Sequence, residues 1–206
     1  MSSDRLYFYP LWLRIWHGIN AFGIILLIIT GVMMHWALHG TIVNFYTVVK
    51  VHNITGVIIA LNYIFFLVWN LLSGNTRFYN LKRKSWIKRL VTQANYYMVG
   101  MFKDQASPYP LNEKRKFNPL QKFAYFNIMY IILPMVILSG IALLYPDIIL
   151  EKVYSISGVF LTSILHASLG FLVSIFLIVH VYAASIGKSP LQNFKSMVNG
   201  WHVVNH

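Results

Sequence analysis

The chain has 206 residues, 57% hydrophobic, 16% aromatic and only 11% charged; so few charges cannot clothe a water-facing surface, and most of it must face lipid. Seventeen Lys and Arg against five Asp and Glu leave a net charge of +12, and because the bases lie between apolar runs they suit a membrane surface and no nucleic acid. The absence of Cys excludes disulfides, thiolate zinc sites, iron–sulfur ligation and thioether-linked haem within this chain.

In chain order, four apolar segments are predicted to span a bilayer, over 11–36, 54–72, 123–145 and 159–186. At about 1.5 Å of rise per residue, each can cross a hydrocarbon core of about 30 Å. The first is too long for the apolar part of a signal peptide and lacks a convincing small-residue cleavage site, so it is read as a retained helix. Trp12, Trp16, Trp36 and Trp69 fall near span ends, as in an interfacial aromatic belt. The loop over 75–119 separates the second and third spans. Within it, Leu81 to Met101 alternates Lys82, Arg83, Lys84, Lys88 and Arg89 with Trp86, Ile87, Leu90, Val91, Ala94, Tyr97 and Met98. That spacing predicts a cytoplasmic amphipathic helix in the membrane plane, bound to anionic lipid or docked on a partner. Pro108, Pro110 and Pro119 mark the approach to the third span, and 187–206 form a tail. The expected fold class is all-α, an integral membrane four-helix bundle forming one membrane domain over 1–206.

Fifteen bases lie on one side of these spans: Arg5, Arg14, eleven from Arg77 to Lys122, Lys188 and Lys195. Only Lys50 and Lys152 lie on the other. The positive-inside rule then puts both termini, the 75–119 loop and the tail in the cytoplasm.

Four of the eight histidines fall into two levels. His17 near the start of span 1 and His180 late in span 4 share the inner level; His52 opening span 2 and His166 early in span 4 share the outer one. His166 and His180 are 14 residues apart. At about 100° and 1.5 Å per residue they project from nearly one face, roughly 21 Å apart along the axis. Two imidazoles stacked in this way, each with a partner at its own depth, suit two bis-histidine haems across one bilayer. A single intramembrane His is more often packed or hydrogen-bonded, but four that pair by depth point to function. Gly56 and Gly170 each follow a histidine by four residues, where a missing side chain would admit a flat macrocycle or a closely packed helix. Arg14 could meet haem propionates or snorkel to lipid phosphate. His35, His39, His202 and His206 are read as solvated.

The ordered set of short motifs resembles a known family over nearly the whole chain. It comprises Arg14-Ile-Trp-His17-Gly-Ile-Asn, Thr30-Gly31, Val51-His52 with Gly56, Phe117-Asn118-Pro-Leu-Gln121-Lys122, Leu138-Ser-Gly140, the His166 and His180 pair, and Ser196-Met-Val-Asn-Gly200-Trp. It is similar to the b-type cytochrome membrane subunits of nickel–iron hydrogenases, formate dehydrogenases and thiosulfate reductases, which are bacterial cytochrome b561-like diheme proteins. The resemblance implies two haems b, an inner one held at His17 and His180 and an outer one at His52 and His166. It also implies a quinone pocket, for menaquinone or ubiquinone, beside the inner haem, with Asn118 and Gln121 as candidates; read by themselves, Asn118 caps a helix and Gln121 bonds a loop carbonyl. The partners it implies are a periplasmic-side iron–sulfur or catalytic oxidoreductase subunit, or a multihaem cytochrome c, with the protein in the bacterial inner membrane.

Two other functions compete. A self-sufficient transmembrane reductase would want a basic outer pocket, and the outer side offers only two bases. A haem-free transporter or anchor lacks intramembrane carboxylates, since Asp4, Asp104, Glu113, Asp147 and Glu151 all fall outside the spans. Gly187-Lys188-Ser189 is no phosphate loop, because Tyr182 stands where its first glycine is needed.

Overall fold

The computed structural model describes residues 4–36, 44–79, 85–103, 105–110, 112, 115–186 and 189–204. Four helices are long and apolar enough to cross a membrane: Leu11–His35, Phe45–Leu72, Pro119–Leu144 and Gly158–Ser185. They form a four-helix bundle, with α1 (Leu11–His35) packed along α2 (Phe45–Leu72). The second helix starts well before the expected 54, because apolarity marks a span and not a helix. The Asn44 side chain accepts from Tyr46 N and starts the helix ahead of the apolar run. Gly23 lets α1 and α2 approach closely; a Cβ there would lie 2.5 Å from Ile59 Cδ1.

After α2, a shorter helix α3 (Trp86–Asn95) runs on through a π-helical turn at Tyr96–Gly100. The first four residues of the amphipathic stretch, 81–84, lie outside the described residues. Its apolar face divides: Trp86 stacks on Phe123, while Ile87, Val91, Met98 and Phe102 are exposed and Gln93 is buried.

The third span is built in two pieces, α4 (Pro119–Asn127) and α5 (Leu133–Leu144), joined by a π-helical turn at Ile128–Ile132. In that turn Leu133 N bonds Ile128 O, so the next bond in the register would run from residue 134 to Met129 O. Pro134 has no N–H to supply it. The Tyr63 hydroxyl on α2 donates to Met129 O instead, at 2.7 Å. The fourth span is α6 (Gly158–Ser185), entered through a hairpin of β2 (Lys152–Val153) and β3 (Ile156–Ser157).

Beyond the spans, α7 (Gln192–Asn199) leads into β4 (Trp201–Val204), which pairs antiparallel with β1 (Asp4–Tyr7). Gly200 makes the turn at φ +87°, and a Cβ there would lie 2.6 Å from the Tyr7 ring. Both described ends of the chain thus meet at one end of the bundle. The same end holds an aromatic core around Leu13, Trp16, Tyr63, Phe66, Phe78, Tyr79, Met129 and Leu133. Large apolar side chains such as Phe22, Leu61, Phe171 and Ile178 point outward, as a lipid-facing surface requires.

Candidate functional site

The four helices bring four imidazoles together in two pairs. His17 of α1 faces His180 of α6, with ring centres 6.2 Å apart, and His52 of α2 faces His166 of α6, with centres 6.3 Å apart. Each pair draws on two different helices, so neither forms unless the bundle closes. His52 lies about two turns inside α2 because that helix starts at Phe45. Among the described residues no group of three or more His, Cys, Asp or Glu side chains could hold a metal ion. The arrangement is two facing imidazoles at each of two levels.

The surroundings of the two pairs differ. At His52, Nδ1 is 2.8 Å from Thr30 Oγ1 of α1; at His166, Nδ1 is 3.0 Å from Ser139 Oγ of α5. Each hydroxyl belongs to a Ser/Thr-Gly dipeptide; at Gly140 the missing side chain lets the ring approach, since a Cβ there would stand 3.0 Å from His166 Cε1, whereas one at Gly31 would make ordinary contact, 3.6 Å from His52 Cε1. At the other level His180 stacks on Phe176 (5.5 Å, 19°) and meets the edge of Tyr125 (5.9 Å). Among the described residues, nothing outside the helix's own nearby backbone would lie within 4 Å of a Cβ at Gly56 or at Gly170.

Buried polar atoms without a partner among the described residues concentrate near His17. Four of the five lie on α1: Arg14 Nε, Trp16 Nε1 and both polar side-chain atoms of Asn20. Arg14 also donates from its guanidinium to the Val198 carbonyl, which ties α1 to the tail. Such orphaned groups suit a polar ligand or water that satisfies them.

Asn118 and Gln121 form a complete capping box at the start of α4. Asn118 Oδ1 accepts from Gln121 N at 2.9 Å, and Gln121 Oε1 accepts from Asn118 N at 3.1 Å. The remaining Asn118 amide donates to the Tyr97 hydroxyl at 2.8 Å. Burial raises the Tyr97 phenol above its ordinary range, so it stays protonated. Gln93, almost wholly buried, leaves Oε1 without a partner among the described residues, close to the same phenol. Two turns along α4, Tyr125 packs on His180, which links this polar cluster to the His17–His180 pair.

Of the remaining histidines, His35 is exposed, and His39 and His206 lie outside the described residues. His202 is not simply solvated: it is half-buried, stacked on Phe8 and 3.3 Å from Ser196 Oγ, and burial lowers its pKa. Lys116, at the same end, donates to Phe8 O at 2.6 Å, and burial together with the nearby Arg77 charge lowers it to about 8. Thr30, Ser139, Gln93 and Tyr97 were not singled out from sequence as site residues. The recurrence of a Ser/Thr-Gly dipeptide in spans 1 and 3 was the available signal for the first two.

The family model for prokaryotic cytochrome b561 matches residues 8–200. The chain is also similar to the Escherichia coli (strain K12) protein named "Putative cytochrome YdhU", with 32% identity over 201 residues, covering 97% of this chain and 76% of that protein. A b-type haem, electron transfer and a multi-pass membrane setting go with this family and agree with the four spans. The chain belongs to the prokaryotic cytochrome b561 family.

Proposed function

We propose that this membrane cytochrome carries two haems b and passes electrons between a redox partner on the outer face and quinone at the inner end. The observation that supports this most is the ring separation. Two imidazole nitrogens, each about 2 Å from one metal and roughly 1.1 Å from its ring centre, put the ring centres about 6.2 Å apart. The two pairs stand at 6.2 and 6.3 Å. His17 and His180 would hold the inner haem, and His52 and His166 the outer one. When bound, each haem would supply one-electron transfer, and a histidine pair holding it would suit relay and not oxygen chemistry.

The chain's own part is to hold and orient these groups. The open space beside Gly56 and Gly170 gives a flat ring room next to His52 and His166. The unpartnered Arg14 Nε, three residues before His17, is a buried donor that a propionate would satisfy. On the outer side the partner is an iron–sulfur or catalytic oxidoreductase subunit or a multihaem cytochrome c, because this Cys-free chain carries no relay cluster of its own. On the inner side, Gln93, Tyr97, Asn118 and Gln121 offer polar groups at a mostly apolar site, as the oxygens of menaquinone or ubiquinone require.

The test is the haem-to-chain ratio of the purified protein and its reduction by a quinol analogue. Two haems per chain are expected, with His17→Ala or His180→Ala losing the inner one and His52→Ala or His166→Ala the outer one. A ratio of one, or a colourless protein, overturns the reading. Gln121→Leu is expected to keep both haem spectra and slow quinol exchange at least about tenfold, some 1.4 kcal/mol of barrier. Unchanged exchange in both Gln121→Leu and Asn118→Leu would move the quinone site elsewhere.

A further inference from the structure

The hydrogen bonds around the outer histidine pair assign the protons. Thr30 Oγ1 lies 2.7 Å from Leu26 O and 3.2 Å from Leu27 O, the usual back-bond of a helical threonine. Its single proton is therefore committed to a carbonyl, and toward His52 Nδ1 the oxygen can only accept. Ser139 Oγ repeats the arrangement, 3.1 Å from Val136 O and 3.0 Å from His166 Nδ1. Both rings then carry the proton on Nδ1, shared between the hydroxyl and a backbone carbonyl, Leu27 O at His52 and Val136 O at His166, and present a bare Nε2 lone pair. Among the described residues no side-chain hydroxyl does this for His17 or His180; His180 meets the rings of Phe176 and Tyr125 instead, and His17 faces His180.

We infer that Thr30 and Ser139 are positioning residues for the outer haem, a matched pair of hydroxyl clamps that fix the tautomer of both axial histidines and lower that haem's potential. This rests on the assignment of His52 and His166 as its ligands. An Nδ1–H that donates to oxygen makes the imidazole a stronger electron donor, which favours ferric iron. Two such bonds on one iron act in the same direction. The inner haem has neither, so the sequence of Ser/Thr-Gly dipeptides sets the two haems apart by more than depth. Gly140 belongs to the device, since a side chain at position 140 would press on the His166 ring and lengthen the bond from Ser139.

The experiment is an optical redox titration of the purified holoprotein, comparing wild type with Thr30→Val, Ser139→Ala, the double variant, and the hydroxyl-retaining Thr30→Ser and Ser139→Thr. His52→Ala identifies the outer haem's band. In the double variant the outer haem is expected to titrate higher, so that at its wild-type midpoint the reduced-to-oxidised ratio rises from one to about ten, a shift of 59 mV for one electron. The inner haem and the hydroxyl-retaining variants should titrate as wild type. If the double variant loses the outer haem while Thr30→Ser and Ser139→Thr keep it, the hydroxyls are required and the clamp stands. A wild-type titration in the double variant, a shift confined to the haem that His17→Ala removes, or loss of haem in the hydroxyl-retaining variants overturns it. Should His52→Ala and His166→Ala both keep two haems, the fault lies in the ligand assignment and the clamp falls with it.

Discussion

A glycine one turn past a histidine can serve close helix contact or leave room for a flat ligand, and the neighbours separate these roles. Gly23 serves contact, because a Cβ there would drive into the Ile59 side chain. Gly56 and Gly170 do not, because among the described residues no neighbouring element lies within 4 Å of a Cβ at either position. Gly170→Ala is therefore expected to leave the apoprotein fold intact, even slightly favoured by about 0.5–1 kcal/mol of helix propensity, while haem content falls. Gly23→Ala should do the opposite, costing about 1–3 kcal/mol by overpacking with haem affinity preserved in whatever folds. Haem-to-chain ratio and thermal unfolding in detergent check both; full haem loading in Gly170→Ala would return that glycine to packing. At this scale the histidines were legible in the sequence, since depth along four spans suggests two levels and the rings stand in those two pairs. Their hydroxyl partners were not, because Thr30 is 22 residues from His52 and Ser139 27 from His166, on helices whose facing sides no periodicity reveals.

Among the elements, the third span shows what hydropathy can and cannot locate. Its apolar run was evident, yet its start at Pro119 depends on the Asn118 and Gln121 capping box, and its break at Ile128–Ile132 on one proline. A hydropathy window senses neither a cap nor a missing N–H. The break creates a debt at Met129 O that Tyr63 settles from α2, so the two helices are tied through a defect in one of them. Tyr63→Phe is expected to destabilise the holoprotein by about 1–3 kcal/mol, the cost of a buried carbonyl left without a donor. Adding Pro134→Ala should recover much of that loss, because an alanine N–H can supply the missing bond. Thermal unfolding of the two single variants and the double gives the coupling. Additive losses would show that Tyr63 acts by packing alone. For α3 the apolar residues were legible, but their division between Phe123 on one side and open surface on the other was not, since that division depends on where α4 lies.

For the whole molecule, orientation decides what the two histidine levels mean, and structure and charge bear on it separately. The pairing of β1 with β4 holds both chain ends at one end of the bundle, as an even number of crossings requires. Arg14 bonded to Val198 O and Lys116 bonded to Phe8 O fasten α1, the long loop and the tail into that same end. Charge then selects the compartment: the fifteen bases of the termini, the 75–119 loop and the start of α4 face only Lys50 and Lys152 opposite. Both opposite-side bases lie on segments at the far end, Lys50 early in α2 and Lys152 in the β2–β3 hairpin. The expected outcome is that residue 85 and the chain ends are cytoplasmic and the hairpin periplasmic. Because the chain has no Cys, one introduced thiol is its only thiol, and an impermeant maleimide reports its side without background. Tyr154→Cys at the fully exposed tip of the hairpin should label in intact cells, whereas Ser85→Cys should label only after the membrane is opened. The opposite pattern would invert the molecule. His17 and His180 would then lie on the periplasmic side, and the partner and the quinone would exchange ends.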